Sequence, residues 1–589
     1  TSESSSSMNY DEFFNSLLER LRHSADAVVS AFFSADKPKE REKRRAEIES
    51  WFAGGTDIWP KVAAAAAELQ AGMHPVRPFH WELEFPEAFA GDNPGFDAMV
   101  GNPPFAGKNN IIHANRRGFL DWLLVVHQAS HGNSDLAAHF FRRAHHLIRD
   151  RGQAGFVTTS RISEGDTRTT GLSWISANGG EIVAASTRAT WTGDADVQIR
   201  AIQISKGLFA GPRVLGGKIV AGISASLEPI EINRHDSVDD PVELERSWGL
   251  SFVGHAPHGA GFILSAEEAT QLLSQPKNAE VVRPFLIAKD LNESPYLTPS
   301  RSIVDFGDRT LEEAQQYSEC FELVCRRVKP YRQSNKRKAY REKWWLFGER
   351  RAGLAQAASR TSKMIACAMT SMEFKFAEVP TTYVFDQTLA IVEATHAGCL
   401  GILESSVHKT WAMKMGASFG SVGAPRYNPS RCFRTFPFPS PTIDSSQLVK
   451  AETAFISFRG RMMSDMGIGL TELYNRFHNS QDQTSELIEL RKLHLELDRA
   501  TLATYGWSDL VAIAIPQDLT ADNEDDSRYR GRRFWSAAIR TQVISRLLDL
   551  NAEHARAEAV AGPPARGGGG KGKKPRRNQL SEATGPTLF

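Results

Sequence analysis

Apolar positions between Tyr10 and Leu69 recur at helical spacing, with Phe13, Leu17, Leu18 and Leu21 on one face, a charged run from Lys37 to Arg45 and an Ala-rich stretch from Val62 to Leu69. Side chains at i, i+3 and i+4 share one face of a helix, so this segment is expected to be helical. From Pro75 to Lys206 the pattern changes, as short apolar runs bounded by Gly and Pro alternate with helical patterns. That alternation marks an α/β domain. Phe96–Gly101, Gly155–Thr159 and Val197–Ser205 read as strands, with an amphipathic helix from Asp135 to Arg149 between the first two. Gly207 to Pro439 is mixed α+β, with short strands, turns and basic-aromatic clusters, and is expected to be a separate recognition domain. Residues from Asp444 to Asn551 return to helix, most strongly at Glu486–Leu502. After Ala561, Gly567–Gly570 and a basic run from Lys571 to Arg577 leave nothing apolar to bury, which predicts disorder. The expected boundaries are 1–74 (helical), 75–206 (α/β), 207–443 (recognition), 444–555 (helical) and 556–589 (basic tail). No internal repeat is evident.

A chain of 589 residues at 41% hydrophobic exceeds one ordinary core, so two to four domains are expected. The net charge of +1 hides strong segregation, because Arg and Lys crowd into a few stretches. Cys320, Cys325, Cys367, Cys399 and Cys432 form no CxxC pair and lack His at ligand spacing, which favours neither zinc nor a disulfide framework and predicts reduced thiols. No run approaches the ~18 to 20 apolar residues of a membrane helix, so a cytoplasmic protein without membrane contact is expected. Position 1 is Thr and the first Met is Met8, which points to a sequence cut from a longer chain or lacking its true start.

Chemistry concentrates after the strand Phe96–Val100, in Gly101-Asn102-Pro103-Pro104-Phe105. Open α/β sheets bind ligands at the carboxyl ends of their strands. Pro103 and Pro104 stiffen the turn and remove two donors, leaving a carboxamide, free carbonyls and a ring. An amine conjugated to a heterocycle is a poor nucleophile. Accepting its two hydrogens on the Asn102 oxygen and the Pro103 carbonyl draws it towards a pyramidal, reactive geometry, and Phe105 can stack on the heterocycle. Neither a metal nor a covalent intermediate is needed. Taken alone, Asn-Pro-Pro is equally a stiff turn after a strand.

The surrounding sequence resembles the adenine-specific (N6) DNA methyltransferases of the large fused restriction-modification and phage-defence type, the Eco57I-like methylases. The resemblance covers most of the chain. Pro78–Glu87, Gly95-Phe96-Asp97 and Gly101–Phe105 look like that family's lead into its catalytic motif. Asp135-Leu136 with Phe140-Phe141, then Gly155-Phe156-Val157, resemble the helix and strand that follow. Trp191–Val197 resembles a later motif whose aromatic residue packs on the extruded base. The resemblance implies catalysis by Asn102, Pro103, Pro104 and Phe105, with Trp191 as a second stacking face. A flipped base is well served by two aromatic faces.

Asp290-Leu291-Asn292, Val304-Asp305-Phe306, Val328-Lys329-Pro330, Trp344-Trp345 and Arg426–Pro439 resemble the target-recognition region of the same enzymes. The stretch from Arg326 to Lys343 is the densest positive run of the folded part, with Arg326, Arg327, Lys329, Arg332, Lys336, Arg337 and Lys338 leading towards Trp344. With Arg426 they are the candidate DNA-binding residues, a phosphate-contacting surface with an aromatic shelf. A solvated charged face is the plain alternative. Leu470–Asn475, Leu490-Arg491, His494, Asp498 and Tyr505-Gly506-Trp507 also resemble the family and are assigned to packing.

The family holds S-adenosylmethionine with a glycine-rich loop after its first strand. In its usual order that loop precedes the Asn-Pro-Pro-Phe turn, where this chain has only helical sequence. The fold implied is an incomplete class I (Rossmann-like) methyltransferase domain with a helical insertion, then a mixed α+β recognition domain and a helical C-terminal region. S-adenosylmethionine is the implied cofactor, double-stranded DNA the implied partner, and an upstream methyltransferase half or separate subunit would hold the cofactor. Other proteins of a defence system are further candidate partners. A non-catalytic DNA-binding subunit, and amine methylation of cytosine N4, RNA or a protein glutamine, remain open; ring-carbon methylation needs a cysteine nucleophile, usually after proline, and no Pro-Cys occurs.

Overall fold

The computed structural model describes residues 10–53, 57–187, 189–190, 198–230, 241–419, 424–440, 446–520, 522–524, 526 and 528–561. Two compact units divide between Asp239 and Asp240.

The first unit opens with α1 (Tyr10–Phe33), α2 (Pro38–Ala53) and α3 (Trp59–Gln70). Small side chains let these helices approach closely around Ala27, Ala31, Ile48, Val62 and Ala65. The stripe at the start of α1 is apolar at helical spacing as expected, yet Phe13, Leu17 and Leu21 stay exposed.

Next comes a mixed sheet of β1 (Phe96–Gly101), β2 (Ile148–Thr159), β3 (Gly180–Ala185), β4 (Ala189–Thr190), β5 (Gln198–Lys206), β6 (Arg213–Leu215) and β7 (Lys218–Val220). Strand order is β1-β2-β5-β3-β6-β7, with β4 paired to β5. β1 runs parallel to β2, and β5 antiparallel to both β2 and β3. Among the described residues β1 has no neighbour on its other side.

Between β1 and β2 lie α4 (Lys108–Ala114), α5 (Phe119–Val126) and α6 (Leu136–Leu147). Ala138, Phe141, Ala144 and Leu147, spaced by three, are buried on one face of α6, the first three in a core with Phe156, Ile202 and Ile204 of the sheet. The sequence pattern extends this helix to Arg149. It stops at Leu147 because Ile148 is extended and pairs with Phe96, so β2 starts seven residues earlier than its apolar run suggests.

Strand alternation sends Ala154 and Phe156 into that core and Gly155 and Val157 to the opposite face. No helix of the described residues is long and apolar enough to cross a membrane.

The second unit holds β8 (Ser251–Val253), β9 (Ile263–Leu264), β10 (Val282–Leu286), β11 (Ser302–Val304), β12 (Lys363–Ala368), β13 (Phe376–Pro380), β14 (Val384–Phe385) and β15 (Leu389–Val392). These form two four-stranded sheets, β14-β10-β11-β9 and β13-β12-β15-β8. Its main helices are α7 (Ser318–Gln333), α8 (Ser406–Met415), α9 (Ser446–Met466), α10 (Leu470–His478), α11 (Ser485–Thr504) and α12 (Ala537–Ala561). One apolar core runs from Ile365 through Trp411, Phe455 and Leu497 to Leu548. The boundary drawn at 443/444 therefore falls inside a shared core, and β6 and β7 carry the first sheet past residue 206.

A buried ionic cluster pins this core. Glu373 accepts from Lys409 Nζ at 2.6 Å on both oxygens, and from His478 Nε2 and Arg532 Nη1 at 2.8 Å each. His478 Nδ1 accepts from the Arg533 N–H at 3.2 Å, which fixes the neutral tautomer with its proton on Nε2. Burial alone would raise the Glu373 carboxyl, but Lys409, His478 and Lys375 outweigh it and hold it well below the usual range.

Candidate active site

β1 is locked at both ends by close approach. Gly95 has φ +123°, and a Cβ there would lie 2.5 Å from the Arg149 nitrogen, so a glycine is required where β1 begins. Phe96 is ringed edge-on by Trp81, Phe85 and Phe89 at centroid distances of 5.3 to 5.6 Å. At the far end Gly101 pairs with Phe156, and its Cβ position is 3.3 Å from that ring.

The chain leaves β1 there into Asn102, Pro103, Pro104 and Phe105. Pro103 is buried and anchors the turn, while Asn102 and Pro104 are exposed. Phe105 is 37% exposed despite its apolar ring. The Asn102 carboxamide has no hydrogen-bond partner among the described residues. A free amide and a half-free ring on a stiff turn are the groups the amine chemistry asks for, and the structure brings them together at the carboxyl end of an edge strand.

Beside the turn, the face of the sheet away from α6 forms an open concavity of about 610 Å³. Ala98, Val100, Gly155, Val157, Ala184 and Ala201 give it an apolar lining. Val100 is 88% exposed.

Residues 30–175 match the family model described as Eco57I restriction-modification methylase, and residues 250–440 match that of the MmeI target recognition domain. The chain carries an Eco57I-type methylase domain and an MmeI-type target recognition domain. The Type IIL restriction-modification enzyme MmeI, solved in complex with DNA, is similar at a TM-score of 0.56 and 18% identity, over 78% of this chain and 57% of that one. That likeness establishes a shared fold, and the chain spans 57% of the length of that enzyme. The type IIG restriction endonuclease BpuSI is matched at 9% identity over 82% of this chain and 66% of that one, with a TM-score of 0.24, too low to argue from. No curated protein matches the sequence.

Within the MmeI-type domain the basic run splits. Arg332 is not a surface cation: it is buried on α7 and donates to the carbonyls of Pro257 (2.5 Å) and His258 (3.1 Å). Trp344 is not a shelf either, being 7% exposed in the core around Phe306 and Phe321, with Lys329 Nζ 5.3 Å from its ring. The causes differ: Arg332 turns inward because the carbonyls of Pro257 and His258 need a donor, whereas Trp344, beyond the end of α7, is buried as a large apolar ring packed with Phe306 and Phe321.

Arg327 pairs with Glu268, and Arg426 is half-buried on the strand Ala424–Arg426. Arg326, Lys336, Arg337 and Lys338 remain exposed. Of these, Lys338 pairs with Glu342 at 3.5 Å and Arg337 lies 4.0 Å from Glu349. Trp191 and the tail after residue 561 lie outside the described residues.

Sequence reasoning marked Asp135 only as the start of a helix. The structure places it against the Asn102–Phe105 turn, where its carboxylate accepts from the Ala106 N–H. An Asp directly before an amphipathic run is the N-cap signature that could have flagged it.

Proposed function

We propose that this chain supplies the amine-activating turn and the DNA-reading region of a site-specific adenine N6 methyltransferase in a restriction-modification or phage-defence system. The supporting observation is the free Asn102 carboxamide on a proline-stiffened turn at the end of edge strand β1, in a chain that also carries an MmeI-type target recognition domain. The Asn102 oxygen and the Pro103 carbonyl accept the two amino hydrogens of a flipped adenine. This draws lone-pair density out of the ring and onto the attacking nitrogen. Phe105 stacks on one face of the base, and Trp191 is assigned the other. Arg326, Lys336, Arg337 and Lys338 supply sequence-independent attraction to phosphate.

S-adenosylmethionine is the methyl donor this reading requires, yet the residues present do not fit it. Among the described residues no strand precedes β1, so no strand-to-helix glycine turn stands where the methionine and ribose ends would be held. We assign that task to a separate α/β half, upstream in the same polypeptide or on another subunit. The bare edge of β1 and the apolar face around Val100 are where it would dock, since an unpaired strand edge beside exposed apolar surface is a ready pairing site.

The chain expressed with such a half, incubated with DNA and S-adenosylmethionine, should yield N6-methyldeoxyadenosine on digestion and mass analysis. N4-methyldeoxycytidine, or no methylated nucleoside, would overturn this reading.

A further inference from the structure

Pro103 and Pro104 have no N–H, so half of the turn that presents Asn102 and Phe105 offers no backbone donor to hold it. Ala106, directly after Phe105, carries the anchoring bonds. Its N–H donates to Asp135 Oδ1 at 3.3 Å, and its carbonyl accepts from the Leu136 N–H at 2.8 Å. Asp135 Oδ1 also accepts from the Ala137 N–H at 3.0 Å, capping α6.

Behind Asp135 a second layer fixes the clamp. The Asp135 N–H donates to Thr167 Oγ1 at 3.1 Å, and the His131 N–H to Thr170 Oγ1 at 2.9 Å. Asp135, Thr167 and Thr170 are all buried. The helical run after β2 thus holds the loop before α6, which holds Ala106, which sets where the Phe105 ring points.

We propose that Asp135 is a positioning residue for methyl transfer, fixing the Asn102–Phe105 turn through Ala106, with Thr167 as its support. Its charge is incidental to that task. Burial pushes the Asp135 carboxyl up, against the pull of the Ala137 and Ala106 amides and of Arg161, so the acceptor oxygen matters and not a strongly held anion.

This role rests on the methyltransferase reading above, so the test has two arms. In the full chain alone, Asp135→Ala should speed amide hydrogen exchange in the peptide containing Phe105 and Ala106 by at least about tenfold. Asp135→Asn, which keeps an acceptor oxygen, should restore protection. In the enzyme completed with its cofactor half, Asp135→Ala should lower the single-turnover methylation rate by about 10 to 100-fold, the cost of a misplacement near 1 Å. DNA affinity should stay unchanged and Asn should rescue the rate. Thr167→Val should show the same changes at smaller size, and serves if Asp135→Ala does not fold.

Wild-type exchange rates in both Asp135→Ala and Thr167→Val would overturn the positioning role, as would faster exchange with an undiminished methylation rate. A wild-type completed enzyme that methylates nothing would overturn the functional reading, and the positioning role with it, whatever the exchange arm shows about the clamp.

Discussion

Val100 pairs in parallel register with Gly155 of β2, yet 88% of its surface is exposed. A β-branched apolar residue is a poor choice for the surface unless something covers it. Burying a valine contributes about 1.5 to 3 kcal/mol, or roughly 10 to 100-fold in affinity. Val100→Lys should therefore weaken association with a cofactor-binding half by at least tenfold in sedimentation or co-purification, with little change in the chain's own melting. An undisturbed complex would move the docking surface elsewhere.

The chain by itself should bind S-adenosylmethionine weakly or not at all. Isothermal titration of the purified chain checks this, and micromolar affinity would show that residues within it hold the donor after all.

Replacing Lys336, Arg337 and Lys338 by alanine should weaken DNA binding about equally across sequences and flatten the plot of log affinity against log salt by about one unit per lost phosphate contact. Arg332→Ala should act otherwise, destabilising the fold by exposing the buried carbonyls of Pro257 and His258 to no donor. Binding isotherms at three salt concentrations, with a melt for each variant, separate the two outcomes.

Acid should destabilise the second unit. Burial pushes His408 down to about 3, His478 and His255 each to about 4, and His494 well below its ordinary value. Between those values and about 6.5 the unfolded chain binds protons that the folded chain does not, so stability rises with pH across that window and is lost as pH falls through it. Asp498, raised by burial to about 7, and Glu452, also raised by burial, work in the opposite direction, while burial lowers His554 in the same sense as the other imidazoles. Urea midpoints should fall from pH 7 to pH 5, less steeply in His408→Gln. Equal midpoints at both values would show that these imidazoles titrate freely.

The strand that carries the candidate turn was legible in the chain. Phe96–Gly101 announced a strand by its apolar run and the Asn-Pro-Pro-Phe turn by its chemistry, because both signals are local. The burial of Arg332 and Trp344 was not legible, since a cation on α7 meets solvent or backbone carbonyls according to which neighbouring segment folds over it. Likewise, the helices after residue 443 looked independent because helical periodicity records an apolar face without naming its partner, here the strands and helices around Ile365 and Trp411. Asp135 showed its capping signal, but its bond to Ala106 spans 29 positions and leaves no trace in spacing.

Asn102→Ala in the completed enzyme probes the amine-activating turn most directly. Loss of one preorganised acceptor that strengthens in the transition state should lower single-turnover methylation by about 10² to 10³-fold with DNA affinity intact. A variant that methylates DNA at the wild-type rate would contradict the role given to that carboxamide, and the catalytic account built on it.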